Sequence, residues 1–188
     1  MDNVKFLVCG DVKKPQRKFG DAGCDMFVPE LTDRFVEDIV NCNKDVLVIG
    51  SKASNERKPP ESIGILVSDA TIAIEPGHDI KFPIYVKSKI DPDTVLIVTN
   101  KSGVCTKQKL AVGAATIDSS YQGIHHVHLY NFSNETQLIM YGQKIVQEVP
   151  IKINPNDIVV EEGITEEEFY DGVKSERGAG GFGSSGIF

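Results

Sequence analysis

"GIHHVHLYNFSNETQLIMYGQKIVQEVPIKI", residues 123–153, is the stretch whose reading decides the fold. It is a series of extended pieces, rich in Val, Ile, Leu and Tyr, joined through the polar "NFSNET". Upstream lie more runs of the same kind, "DVLVIG", "SIGILVS", "ATIAIEP", "KFPIYV" and "TVLIVTN", each bounded by turn residues. Strands at this density, with few helices between them, predict an all-β sandwich or barrel. One segment breaks the pattern. In "LTDRFVEDIVNCN", Phe35, Ile39 and Val40 share a helical face, and Thr32 or Asp33 is placed to cap it.

The totals agree with one soluble domain. The chain has 188 residues, 40% of them apolar, and no window reaches membrane-spanning length. The opening "VKFLVCG" is too short an apolar run for a signal sequence, so the expected location is the cytoplasm. A formal charge of −7 argues against a general nucleic-acid-binding surface. Phosphate can still be bound where arginines, lysines, backbone amides or a metal gather locally. Cys9, Cys24, Cys42 and Cys105 lie far apart without a Cys-x-x-Cys pair, the pattern of reduced structural thiols. "SKASNERKPPES" reads as an exposed loop. "EEGITEEEFYDGVKSE" reads as an acidic, solvent-facing lead into the glycine-rich end.

Four places carry candidate chemistry. The chain ends "RGAGGFGSSGIF", a composition typical of disordered tails. Its Arg177 is nonetheless a forked donor for phosphate and its Phe182 a flat apolar surface, a content that suits an arm closing on a nucleoside triphosphate. "NKSGV" places a cation, a hydroxyl and an accessible backbone after a strand, although most such turns are only turns. In "ATIDSSYQG", Asp118 stands three residues before Tyr121. Aspartate at such a place is usually a turn-former; beside a bound phosphate it would activate water, with the tyrosine ring under a sugar. In "GIHHVHL", His126 and His128 share one strand face and His125 the other, which leaves a zinc site without a third ligand.

Taken in order, these pieces resemble the five motifs of the homotrimeric deoxyuridine triphosphatase family. "DAGCDMFVP" is similar to motif one, "NKSGV" to motif two, "ATIDSSYQGIHHVHLYN" to motif three, "GQKIVQEV" to motif four and "RGAGGFGSSG" to motif five. The resemblance implies a jelly-roll-like β domain that trimerises, with each active site built from three subunits. It implies hydrolysis of dUTP to dUMP and pyrophosphate, which keeps uracil out of DNA and supplies dUMP for thymidylate synthesis. Asp118 matches the base that activates water, and Tyr121 the ring beneath the deoxyribose. The hairpin near His126 matches the uracil reader, with Ala115, Thr116 and Ile117 lining the substrate. Lys101, Ser102, Gly103 and Gln147 match phosphate contacts. Arg177 matches the grip on the γ-phosphate, Phe182 the cover over uracil, and Gly183 and Ser184 the closure at the phosphate end. Asp25 matches an acidic residue near the phosphate and metal end. The metal implied is Mg²⁺, held by substrate phosphates and water rather than by protein ligands.

Three departures from the family pattern stand out. Lys101 occupies an arginine position, Cys24 a tyrosine position, and Ala115-Thr116 a Gly-Val position. The expected organisation is a β domain over 1–170, with an insertion around 31–60, and a flexible arm over 171–188. Two other readings remain. One is a dUTPase-like regulator that binds a partner protein through the insertion and its amphipathic helix. The other is a dCTP deaminase of the same fold, although His128 stands where that family has its catalytic glutamate.

Overall fold

The computed structural model describes residues 4–49, 64–68, 71–156 and 158–173. The chain divides into two compact units, Met1–Ile153 and Asn154–Phe188.

The first unit is built almost wholly from strands. In chain order they are β1 (Lys5–Val8), β2 (Cys24–Phe27), β3 (Val46–Val48), β4 (Ile65–Val67), β5 (Thr71–Ile74), β6 (Asp79–Pro83), β7 (Val86–Lys89), β8 (Thr94–Asn100), β9 (Leu110–Val112), β10 (Thr116–Ile117), β11 (His126–Asn131), β12 (Gln137–Met140) and β13 (Lys144–Lys152). They form sheets in the orders β10-β8-β13-β2, β6-β11-β9, β12-β5-β4-β3 and β1-β7. Pairing is antiparallel except between β3 and β4. The all-β expectation therefore holds.

The deciding stretch supplies the centre. Along β11, Val127, Leu129 and Asn131 are buried while His126 and Tyr130 are exposed, the period of two that a half-buried strand requires. Asn131 turns inward because its amide is fully used. It donates to the Ile74 and Glu135 carbonyls at 2.9 Å each and accepts from the Ser133 hydroxyl at 2.7 Å, which folds the polar "NFSNET" link back into β12. In β13 the register against β2 shifts between Lys144 and Val146. That extra residue lets Ile145 and Val146 both be buried, then sends Gln147 and Glu148 to opposite faces.

"KFPIYV" is not one strand. It divides into β6 and β7 around Ile84 and Tyr85, and Tyr85 adopts φ 50°, a left-handed value uncommon outside glycine. Contacts on the ring offset that strain. The Tyr85 hydroxyl donates to Asp38 at 2.6 Å, Phe35 meets the ring edge-on at 5.9 Å, and the Arg34 guanidinium lies 5.0 Å from its centroid. Burial, reinforced by the bond to Asp38, pushes the phenol pKa up and keeps it protonated.

The helix in the 31–60 region is α1 (Asp33–Cys42), and Thr32 caps it by accepting from the Phe35 N–H at 3.3 Å. Its Phe35, Val36, Ile39 and Val40 are buried in the domain's own core, with Phe35 edge-on to Phe82 at 5.8 Å. Each such side chain contributes about 1.5–3 kcal/mol on burial. The apolar face that a partner protein would use is thus already covered. "NKSGV", read as a turn, opens a second helix, α2 (Ser102–Lys107), with Lys101 at its N-cap position.

In the second unit, α3 (Glu166–Phe169) is a single turn held by a capping box. Thr165 accepts from the Glu168 N–H, and the Glu168 carboxylate accepts from the Thr165 N–H at 2.7 Å. Residues 158–173 are exposed, as the acidic composition predicts.

Candidate active site

One cluster forms where β2, β8 and β13 lie side by side. Register places Gln147 opposite both Asp25 and Thr99. Lys101 follows directly from β8 and Lys144 begins β13, so both ammonium groups reach the same carboxylate. Lys101 pairs with Asp25 Oδ1, and Lys144 with Oδ2 at 2.8 Å. The Asp25 side chain is only 14% exposed. Burial alone would raise its pKa, but the hydrogen bonds and charges of the two lysines outweigh that and hold it below the usual aspartate value. With one carboxylate and two ammonium groups, the cluster keeps a net positive charge. Gln147 donates to the Asn100 carbonyl at 3.3 Å. Ser102 and Gly103 open α2, where the first backbone N–H groups have no intrahelical acceptor. Nothing lies within 4 Å of where a Gly103 side chain would begin, which leaves that backbone approachable.

A second cluster lies on the connection between β10 and β11, which belong to different sheets, so the hairpin expected near His126 is instead a link between sheets. Thr116 and Ile117 pair with Ile97 and Leu96 of β8, and the Ala115 carbonyl accepts from the Val98 N–H at 2.7 Å. Asp118 follows, exposed, in a turn closed by the Tyr121 N–H on the Asp118 carbonyl at 3.1 Å. The Tyr121 hydroxyl donates to the Ile124 carbonyl at 2.9 Å, which lays the ring across Gly123. A Cβ at Gly123 would come within 2.3 Å of that hydroxyl, so a larger residue there would displace the ring from this position. His126 Nδ1 meets the same Ile124 carbonyl at 2.9 Å. Desolvation of its ring, with repulsion from Lys81, holds its pKa below the usual imidazole value despite the bond to that carbonyl.

The structure therefore brings together Asp25, Lys101, Ser102, Gly103 and Gln147 in one place, and Ala115, Thr116, Ile117, Asp118, Tyr121 and His126 in another. Next to the first cluster, the Asn100 side chain accepts from the Val112 N–H at 2.7 Å. Among the described residues, no hydrogen bond or ion pair joins Asp118 or Tyr121 to the Asp25 cluster. Arg177, Phe182, Gly183 and Ser184 lie outside the described residues. Lys144 is a member that sequence reasoning missed. Nothing in its spacing marked it: three residues before Gln147, a regular strand would put it on the opposite face, and only the register shift between Lys144 and Val146 brings the two to one face.

His125 and Glu148 were also missed. Both side chains are fully buried, with His125 Nδ1 2.9 Å from one Glu148 oxygen and 3.1 Å from the other. The far nitrogen, Nε2, lies 2.9 Å from the Ser88 hydroxyl. Among the described residues, no group of three or more His, Cys, Asp or Glu is arranged to hold a metal ion.

Fold and site define the class: an all-β protein with a cationic sheet face and a connection between sheets that presents one carboxylate and one aromatic ring. The family model for dUTPase matches residues 51–186, and the chain belongs to the dUTPase family. It is 31% identical over 153 residues to a deoxyuridine 5'-triphosphate nucleotidohydrolase of Haemophilus influenzae, covering 76% of this chain and 96% of that protein. The protein of the same name from Avian adenovirus 8 is 32% identical over 130 residues, covering 69% and 65%. Among solved structures, a mutant of the Staphylococcus bacteriophage 80alpha dUTPase with dUpNHpp superposes with a TM-score of 0.61 at 21% identity, over 98% of this chain and 99% of that one. The EIAV dUTPase gives 0.56 at 19% identity, over 87% and 98%. These two likenesses are of fold.

Proposed function

We infer that this chain is a dUTP diphosphatase, hydrolysing dUTP to dUMP and pyrophosphate. The observation that carries the assignment of roles is the contrast between two carboxylates. Both Asp25 oxygens are engaged by lysines, whereas the Asp118 carboxylate is exposed and has no partner among the described residues. Asp25 therefore organises the cations, and Asp118 is the base. Water attacks the α-phosphorus, its proton passes to the Asp118 carboxylate, and the bond to the β-phosphate oxygen breaks to release pyrophosphate. Tyr121 stacks under the deoxyribose. The backbone about His126 reads the uracil edge, and Ala115, Thr116 and Ile117 line the base and sugar.

Lys101, Ser102, Gly103 and Gln147 receive the phosphates at the cationic cluster. A lysine at 101 keeps the charge there but contacts one oxygen where an arginine would grip two. The family generally uses Mg²⁺. The donor set here suits an ion held by the triphosphate and water, because the Asp25 oxygens are already committed to ammonium groups. Such an ion neutralises phosphate charge. The two clusters serve one nucleotide when contributed by neighbouring subunits of a homotrimer. For the arm expected over 171–188, of which 174–188 lie outside the described residues, the family resemblance supports the proposed roles: Arg177 for the γ-phosphate, Phe182 for uracil, and Gly183 and Ser184 for the phosphate end.

No helix among the described residues is long and apolar enough to cross a membrane. We place the chain in the cytoplasm, with dUTP and further copies of itself as partners. Pyrophosphate release across dUTP, dTTP, dCTP and UTP tests the reading. Strong preference for dUTP is expected, with Asp118→Asn binding nucleotide yet losing on the order of 10²–10⁴ in kcat. Comparable turnover of dTTP, or an undiminished Asp118→Asn enzyme, would overturn it.

A further inference from the structure

His128 has no role in the reaction described above, yet it is built closely into the segment that delivers Asp118. That segment, 113–115, crosses from the β6-β11-β9 sheet to the β10-β8-β13-β2 sheet. On one side it is held by β8, through the Ala115 carbonyl and the Val98 N–H. On the other it is held by His128, twice. The Gly113 N–H donates to the His128 carbonyl at 2.9 Å, and the Ala114 N–H donates to His128 Nδ1 at 3.2 Å. An Nδ1 that accepts carries no proton, so the proton sits on Nε2, which meets the Asp79 carboxylate at 2.8 Å. The tautomer is thus fixed by one partner at each ring nitrogen. Position 113 adds an independent sign of close fit: a Cβ there would lie 2.1 Å from Nδ1, so the imidazole occupies space that only glycine leaves open.

We propose that His128, oriented by Asp79, is a positioning residue for the hydrolysis: its Nδ1 sets the 113–115 crossover and through it the placement of Asp118. The proposal rests on Asp118 being the base. A displacement of a catalytic group by about 1 Å costs up to about 10²-fold in rate, so the effect falls on kcat more than on KM.

Three variants test this, with Asp118→Asn as the control. In His128→Asn the amide oxygen replaces Nδ1 as acceptor; in His128→Leu no acceptor remains; Asp79→Ala leaves the ring free to turn and changes only an exposed residue. Steady-state kcat and KM for dUTP, affinity for dUpNHpp, and melting temperature are measured on each full-length protein. His128→Leu should lose tenfold to a hundredfold in kcat with analogue affinity within about threefold, His128→Asn should keep most of the rate, and Asp79→Ala should lose several-fold. Wild-type kcat in His128→Leu, or equal losses in the Leu and Asn variants, overturns the proposal. If His128→Leu does not fold, an unchanged kcat in Asp79→Ala overturns it. An active Asp118→Asn enzyme instead overturns the assignment of the base.

Discussion

Glu148→Leu should be among the most destabilising single changes in this protein, and His125→Leu made with it should restore most of the loss. Both side chains are fully buried, and each supplies the other's hydrogen bond on the core face of β13 and the start of β11. Removing the carboxylate alone leaves the buried imidazole Nδ1 without its acceptor. Breaking a buried pair in this way costs about 3–5 kcal/mol. For a chain of this length about 1 kcal/mol moves the melting temperature by about 2–4 °C, which predicts a drop of about 6–20 °C. The double variant fills the same volume with apolar groups and leaves only Ser88, which is partly exposed and can bond water. Replacing such a pair by packed aliphatics is often neutral or stabilising. Thermal unfolding followed by circular dichroism, at one fixed protomer concentration because assembly shifts the midpoint, reads both variants. A single variant that melts within about 2 °C of wild type, or a double variant no more stable than the worse single, would refute the reasoning.

Asp25 links stability to pH. Its folded pKa is depressed by Lys101 and Lys144 against the opposing effect of burial, so the stabilisation it contributes is present above the unfolded value near about 3.9 and is lost as pH falls through the lower folded value. The melting-temperature advantage of wild type over Asp25→Asn should hold from pH 7 to about 4 and shrink below it; an advantage just as large at pH 2 would locate the effect elsewhere. Thr32→Ala removes the α1 cap and should cost about 1 kcal/mol in chemical denaturation, whereas Thr32→Asp should be nearly neutral. Light scattering should give a trimer, and a fully active monomer would contradict a site shared between subunits.

Period-two apolar alternation in β11, the single helical face around Phe35, and the order of the five motifs were all legible in one dimension. They depend on local periodicity and on residue identity, which a sequence carries directly. The division of "KFPIYV" at Tyr85 was not, because a left-handed tyrosine is tolerated only through contacts with Asp38, Phe35 and Arg34, brought from a helix far upstream in the chain. The same holds at the site. Asp25, Asp118 and Glu148 are all simply carboxylates in the sequence, yet one is engaged by two lysines, one stands open on the link between β10 and β11, and one is buried against a histidine. Sequence by itself determined that this is an all-β chain carrying the family's motifs. Only the tertiary structure decided what surrounds each carboxylate, because the burial and partners that set a carboxylate's charge and reactivity are created by long-range strand pairing.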